Sequence, residues 1–249
     1  MRRVLLVCLA LMPLTLPPAD TVAQQPPDKK PRYEMKKEHD PDGIGKFYLG
    51  REIAYVMGHQ GANWLDRPER EKEEAPAKLL PALKIKEGDV AADIGAGSGY
   101  YTLMLAKHVG AKGKVYAVDI QPEMLDIIKK KMTKRGVKNV ELVKNTETEA
   151  KLPAASVDLI LLVDVYHEFT HPYEMTVDMV KALKPKGRMV FVEFRLEDEN
   201  VPIKTVHRMS EKQVLKEMAE HAELRHVGTL GFMPWQHVII FERKVEEKK

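Results

Sequence analysis

Val90-Ala91-Ala92-Asp93-Ile94-Gly95-Ala96-Gly97-Ser98-Gly99 runs from an apolar strand into three alternate glycines, and residues 100–109 continue it as an amphipathic helix. A strand-to-helix turn uses glycine where the backbone takes conformations closed to other residues and where a ligand must approach without a Cβ in the way. A second strand, Lys114-Val115-Tyr116-Ala117-Val118-Asp119, ends in a carboxylate about 20 residues beyond the last glycine, where an acid can accept both hydroxyls of a ribose. Strand, glycine turn, helix and acid-tipped strand together read as an α/β cofactor site of nucleotide type. The glycine spacing argues against a dinucleotide. G-x-G-x-x-G seats a pyrophosphate on a helix N-terminus, whereas the order here is D-x-G-x-G-x-G. Asp93 would repel a pyrophosphate and suits a ligand carrying a positive amino group and a sulfonium.

Residues 90–99 resemble motif I of the class I S-adenosylmethionine-dependent methyltransferases, with Asp119 matching the acidic end of motif II. The resemblance covers residues 76–243. Later segments follow in the family's order: Ser156-Val157-Asp158-Leu159-Ile160-Leu161-Leu162-Val163 as the fourth strand, and Leu183-Lys184-Pro185-Lys186-Gly187-Arg188-Met189-Val190-Phe191-Val192 as the turn into the fifth. Ser210-x-x-Gln213 reads as a capping box opening a helix. Residues 223–230 and 236–242 then form a β-rich pair, matching the family's antiparallel hairpin at the sheet edge. The resemblance implies a Rossmann-like, doubly wound α/β fold with a mostly parallel seven-stranded sheet whose last strand is antiparallel. It also implies S-adenosylmethionine as cofactor. Asp93, Gly95, Ala96, Gly97 and Gly99 would surround its methionine part, Asp119 and Ile120 the ribose, and Glu147 the adenine. Ligands belong at the C-terminal ends of the parallel strands.

After the fourth strand comes Asp164-Val165-Tyr166-His167-Glu168-Phe169-Thr170-His171-Pro172, which in the family faces the transferring methyl. His167 titrates near neutrality and can serve as a general base, with Asp164 or Glu168 orienting its ring. The alternative is that His167 caps the following helix and Glu168 makes a surface ion pair. A metal set of His167, Glu168 and His171 is conceivable by spacing, but the family's chemistry works without one, and none is expected.

Ahead of the domain, residues 43–75 concentrate Ile44, Phe47, Tyr48, Ile53, Tyr55, Val56, Met57 and Trp64, and read as a helical cap. Tyr48, His59 and Trp64 are candidate acceptor contacts there, and the polar run around His59 would suit a lid. The alternative for Tyr48 and Trp64 is plain packing against the sheet edge. Trp235 and His237, between and within the last two strands, could close the acceptor pocket or could cover the sheet and face outward.

The 249-residue chain, 44% apolar, suffices for a single α/β core plus extensions. Lys and Arg number 40 against 37 Asp and Glu, interspersed, so the composition gives no reason to invoke nucleic acid. Lys129-Lys130-Lys131 reads as a solvated helix face. Arg2-Arg3, the apolar residues 4–16, the prolines at 17 and 18 and the small residues before Gln24 form a secretory signal pattern with cleavage after Ala23. The expected chain is therefore exported, periplasmic or secreted, without stable membrane insertion, and cytoplasmic only if the start site is misassigned. Residues 24–42 read as a proline-rich, charged linker without order, and 244–249 as a charged tail. Cys8 is the single cysteine. Its removal with the signal excludes disulfides, cysteine-zinc sites, thiol nucleophiles and thiol-dependent methylation of arsenic.

The expected function is methyl transfer to a small-molecule acceptor, similar to the quinone-biosynthesis methyltransferases that share the turn into strand five. Two alternatives stand beside it. Residues 97–102 and 109–115 resemble the isoaspartyl protein-repair methyltransferases, although the run from Asp164 to Phe169 does not. A non-catalytic binding protein on the same scaffold is the other, because S-adenosylmethionine is made in the cytosol and an exported enzyme would need a supply.

Overall fold

The computed structural model describes residues 31–245, so the signal pattern, the linker's first residues and the end of the tail lie outside the described residues. In chain order the strands and helices are β1 (Tyr33–Met35), β2 (Gly43–Tyr48), β3 (Arg51–Ala54), α1 (Ala62–Leu65), α2 (Arg70–Glu74), α3 (Pro76–Ala82), β4 (Val90–Ile94), α4 (Tyr100–Val109), β5 (Lys114–Asp119) and α5 (Pro122–Arg135). There follow β6 (Val140–Lys144), β7 (Val157–Val163), α6 (Pro172–Ala182), β8 (Leu183–Phe194), α7 (Glu211–Met218), β9 (Leu224–Leu230) and β10 (Gln236–Arg243).

Seven strands form one sheet in the order β6-β5-β4-β7-β8-β10-β9. The pairs among β6, β5, β4, β7 and β8 are parallel. Strand β10 enters antiparallel against β8, and β9 antiparallel against β10. Parallel strands covered on both faces need apolar residues at consecutive positions. In β7, Leu159 and Leu161 pack into one core cluster with Ala91, Leu105 and Val190, while Ile160 and Leu162 pack into the other with Ala92, Met179 and Phe191. Helices α3 and α4 supply the first layer and α6 and α7 the second, and α5 joins through Leu125 and Ile128 against Ala117. The strand order reverses between β4 and β7, so a crevice opens at their C-terminal ends, the usual place for a ligand in such sheets.

Local signals explain the ends. Gly99 at φ 80° turns the glycine loop into α4, and Gly136 at φ 65° closes α5. Ser210 caps α7, its Oγ accepting the Gln213 amide at 3.1 Å. The reciprocal half of that box is absent, because the Gln213 side chain donates instead to Glu217, 2.8 Å away, and to the Leu49 carbonyl. Lys129 and Lys130 are exposed as a solvated face would be. Lys131 departs from that reading and binds Asp66 and the Ser98 carbonyl, 2.5 and 2.7 Å away.

The N-terminal region corrects two expectations. Residues 43–54, read as part of a helical cap, form β2 and β3 of a three-stranded antiparallel sheet in the order β1-β2-β3, and Tyr33–Met35, read as linker, is one of its two edge strands. The β-branched and aromatic residues concentrated here lie in a hairpin without a clean alternation, Phe47 next to Tyr48 and Ile53 next to Ala54, so neither a helical nor a strand period shows in so short a run. Among the described residues, α1, α2 and a short turn at His59–Gly61 supply the helical part ahead of residue 76. This region is bound to the domain by specific polar contacts. Arg51 on β3 grips Glu217 on α7 through Nε and Nη2, at 2.7 and 3.0 Å, and donates to the His167 carbonyl at 3.1 Å. The Gln121 amide clasps the backbone on both sides of Gly58, donating to Met57 O and accepting from His59 N.

Candidate active site

A cavity of about 460 Å³ opens at the C-terminal ends of β4, β5, β6 and β7, roofed by Val56, Met57, Trp64 and Leu65. At one end, Gly95, Gly97, Asp119, Ile120 and Gln121 line it; at the other, His167, Glu168, Phe169, Phe194, Ile203 and His207 do.

The glycine end is built by backbone demands. Gly95 has φ 66°, and a Cβ there would come within 2.3 Å of Val165 Cγ2; at Gly97, φ 52°, it would meet Leu65 Cδ1 at 2.6 Å. Both glycines border the cavity, so their bare backbone leaves room that any side chain would occupy. Asp119 is fixed from two sides, its Oδ2 accepting the Gly97 amide at 2.8 Å and its Oδ1 the Gln121 amide at 2.9 Å. Burial pushes its carboxyl above the usual range. Asn145, after β6, and Asp164, after β7, line the cavity, and each has a buried Oδ1 without a hydrogen-bond partner. Unpaired buried acceptors await donors. An adenine amino group and an ammonium are donors of the required kind, so these residues fit S-adenosylmethionine. Asp164 also has φ 49°, a left-handed backbone that costs a non-glycine residue about 1–2 kcal/mol. Its Oδ2 accepts from the Gln236 amide at 2.6 Å, and burial followed by the charges of Glu74 and Glu193 holds its carboxyl well above the ordinary value. Arg70 is the buried cation on this wall, held by Glu74 at 2.6 Å and by the Leu65 carbonyl at 2.9 Å.

Several residues read from the motif stand elsewhere. Asp93 lies under the loop and off the cavity wall; Thr102 Oγ1 donates to its Oδ2 at 2.6 Å, and burial raises its pKa to about 7. Ala96 and Gly99 are likewise off the wall, Ala96 giving its amide to Val118 O at 3.0 Å. Glu147 reaches the cavity edge while its carboxylate, 58% exposed, faces His171 at 3.3 Å.

The acceptor end centres on His167, which is 2% exposed. Its Nδ1 lies 2.7 Å from Glu193 Oε2, and Glu193 Oε1 accepts the Tyr166 amide at 3.0 Å. Glu193, buried at the end of β8, therefore orients the ring, the role expected of Asp164 or Glu168. Burial alone would lower the imidazole pKa, but the Glu193 carboxylate outweighs it and the net shift is upward. Nε2 faces His207 Nδ1 at 3.2 Å and Glu168 Oε1 at 4.0 Å. Glu168 is no surface ion pair: it accepts the Met57 amide at 3.1 Å, and burial raises its pKa to about 7. Burial and the neighbouring His167 push His207 down to about 4.

Of the acceptor candidates, Trp64 lines the cavity, with the Arg67 guanidinium 3.6 Å above its ring. Tyr48 is wholly buried against Tyr33, centroids 5.5 Å apart, away from the cavity. His59 turns toward Glu123 at 4.0 Å. Trp235 offers its carbonyl to the Arg195 amide outside the cavity, and His237 is buried in β10 opposite Glu193. Sequence reading missed Arg70, Gln121, Glu193 and His207. Glu193 had a signal, an acid inside the apolar run Val190-Phe191-Val192-Glu193-Phe194.

Such a sheet, with a glycine loop after β4 and an acid tipping β5, defines a class I S-adenosylmethionine-dependent methyltransferase. The family model described as a methyltransferase domain matches residues 85–244, and the chain belongs to that family. A protein-L-isoaspartate O-methyltransferase of Pyrococcus abyssi is 26% identical over 64% of this chain and 65% of its own. A ubiquinone/menaquinone biosynthesis C-methyltransferase of Francisella philomiragia is 31% identical over 44% of each. The chain thus spans less than two thirds of the length of these relatives. The solved structure of a SAM-dependent methyltransferase from Aquifex aeolicus superposes with TM-score 0.71 at 28% identity, covering 76% of this chain and all of that one.

Proposed function

We propose that the protein transfers a methyl group from S-adenosylmethionine to a small-molecule acceptor seated against His167, Glu168 and His207. The observation that carries this is the shared cavity: the glycine loop with Asp119 and the buried histidine cluster line one chamber of about 460 Å³. When bound, S-adenosylmethionine supplies a methyl already activated by its sulfonium. Asp119 accepts the ribose hydroxyls, Asn145 Oδ1 takes the adenine amino group, and Asp164 and Arg70 receive the ammonium and carboxylate of the amino-acid end. Acid and base set side by side match a zwitterion. The roof of Met57 and Trp64 excludes water. At the other end the acceptor's hydroxyl or amine sits against the histidine cluster, where it loses its proton, while Phe169 and Phe194 confine its body.

The test is methyl transfer from labelled S-adenosylmethionine to a panel of phenols, quinols and amines, run beside an isoaspartyl peptide. Labelled small molecule and unlabelled peptide are expected. Labelled peptide alone would favour the repair reading, which rests on the isoaspartyl relatives. Calorimetric titration with S-adenosylmethionine and S-adenosylhomocysteine, with NAD as a control, checks the cofactor independently; binding only of the first two is expected. Export belongs to this proposal on the strength of residues 1–23 alone, and fractionation of cells expressing the full chain checks it. Among the described residues no helix is long and apolar enough to cross a membrane.

A further inference from the structure

We infer that His167, Glu168 and His207 bind a divalent first-row transition ion, and that this ion is what ionises the acceptor. The inference rests on the acceptor end of the cavity as read above. Within the described residues His167, Glu168 and His207 are the group whose ligand atoms gather for such an ion, all within 4.8 Å of one another. The two ring nitrogens lie 3.2 Å apart. Two imidazoles bound at about 2.0–2.1 Å to a tetrahedral ion would have their nitrogens about 3.3 Å apart. The Glu168 Oε1 stands 4.0 Å from His167 Nε2 and would close the set by a turn of its side chain that gives up the Met57 amide.

Three further observations bear on the assignment. Glu193, at 2.7 Å from Nδ1, is placed as the carboxylate partner that metal-bound histidines use to fix the tautomer, leaving the Nε2 lone pair toward the cluster. Charge bears on it too: Glu168, Glu193 and Glu217 are 12% exposed or less, Arg51 is spent on Glu217, and without an ion a protonated His167 is the remaining cation for Glu168 and Glu193. A dication offsets the two remaining carboxylates, whose burial would otherwise be costly. Finally, the three ligands leave the cavity side open, as catalytic two-histidine, one-carboxylate sites do. His171, a neighbour in sequence, is directed away to Glu147 and Thr170; the second imidazole comes instead from the loop after β8.

An acceptor hydroxyl bound at the open position would lose its proton to water as one oxygen lone pair joins the ion; a second lone pair would then form the bond to the methyl carbon while the methyl–sulfur bond breaks, its electron pair returning to sulfur and S-adenosylhomocysteine leaving. No electron changes hands.

The full-length protein, stripped with chelator and freed of any tag, would be titrated with Zn²⁺ and separately with Co²⁺, following bound metal by mass spectrometry and the visible cobalt bands. One equivalent per chain is expected. His207→Ala should abolish it, Glu193→Gln should weaken it about 10- to 100-fold, and His171→Ala should leave it unchanged. S-adenosylmethionine affinity, measured on the same samples, certifies folding and separates loss of the ion from failure of the methyltransferase reading. Absence of a stoichiometric ion, or equal metal content in parent and His207→Ala, overturns the inference.

Discussion

At one end of the cavity the loop and the ribose acid come from one βαβ unit, Gly95 and Gly97 after β4 and Asp119 at the tip of β5; at the other, His167 and His207 come from the separate loops after β7 and β8, with Glu193 of β8 behind His167. Around the glycines the cofactor end is backbone, held open by them and tied to one carboxylate by amides. The acceptor end is made of side chains, His167 oriented by Glu193 and Glu168 by the Met57 amide. A backbone site tolerates little change because φ and ψ are fixed locally. A side-chain site can be retuned one residue at a time, and this is where relatives that share a fold part in substrate.

The sharpest test of this contrast removes the carboxylate on which the cofactor end converges. Asp119→Ala should weaken S-adenosylmethionine about 100-fold, roughly 2.7 kcal/mol, because charge-assisted bonds to the ribose disappear and the Gly97 amide loses its acceptor. Calorimetry against the parent decides it. An affinity within threefold of the parent would move the ribose away from Asp119.

Glu193→Gln strikes the other end. It should lower methyl transfer about 30-fold while S-adenosylmethionine affinity stays within twofold, because Glu193 touches His167 and the Tyr166 amide but does not line the cavity. Turnover and binding measured on the same variant make the split visible. Equal losses in both would mean that the two ends are one mechanical unit.

These two ends also differ in how far the sequence discloses them. Glycine spacing and a strand-ending acid are local patterns, and residues 90–119 display them without knowledge of the rest of the chain. The strands themselves were legible for the same reason, each being a short apolar run with turn residues beside it, whereas their parallel order and the antiparallel final hairpin came from the family resemblance. The N-terminal hairpin was not legible, because its aromatics show neither period over so few residues. Arg70 and Glu74 lie in a stretch so charged that it resembles a solvated helix, yet they are 4% and 0% exposed. Their burial depends on Tyr100 and Tyr101, whose rings lie 4.7 and 5.0 Å from the Arg70 guanidinium. His207 carries no periodicity at all; only the course of the chain after β8 brings it to His167.

Arg70→Lys asks a finer question of the cofactor end. The variant keeps the charge and loses the planar fork, so S-adenosylmethionine should bind about fivefold more weakly, roughly 1 kcal/mol. Arg67 still holds Glu74 at 2.6 Å, which protects the fold. Binding of 5′-methylthioadenosine, which lacks the amino-acid end, should not change. Parallel losses for both ligands would remove the carboxylate from Arg70.

Asp93 gives the smallest effect on binding and the clearest division between a residue that touches the ligand and one that supports the loop. It lies beneath the glycines and off the cavity wall, bonded to Thr102, so Asp93→Asn should alter S-adenosylmethionine affinity by less than twofold. Stability should respond instead. The folded-state pKa, raised to about 7 by burial and then by the Asp119 charge, stands above the ordinary 3.8, so the folded chain holds this proton more tightly than the unfolded one. That contribution is complete below pH 4 and is lost as pH rises through 7. Asparagine keeps an acceptor for Thr102 and carries no charge to bury. The variant's advantage in thermal midpoint should therefore widen from pH 5 to pH 8, on the order of 2–4 kcal/mol in unfolding free energy. A tenfold loss of affinity would return Asp93 to the ligand. A stability difference independent of pH would mean that the carboxylate is ionised in the folded chain and compensated within the loop.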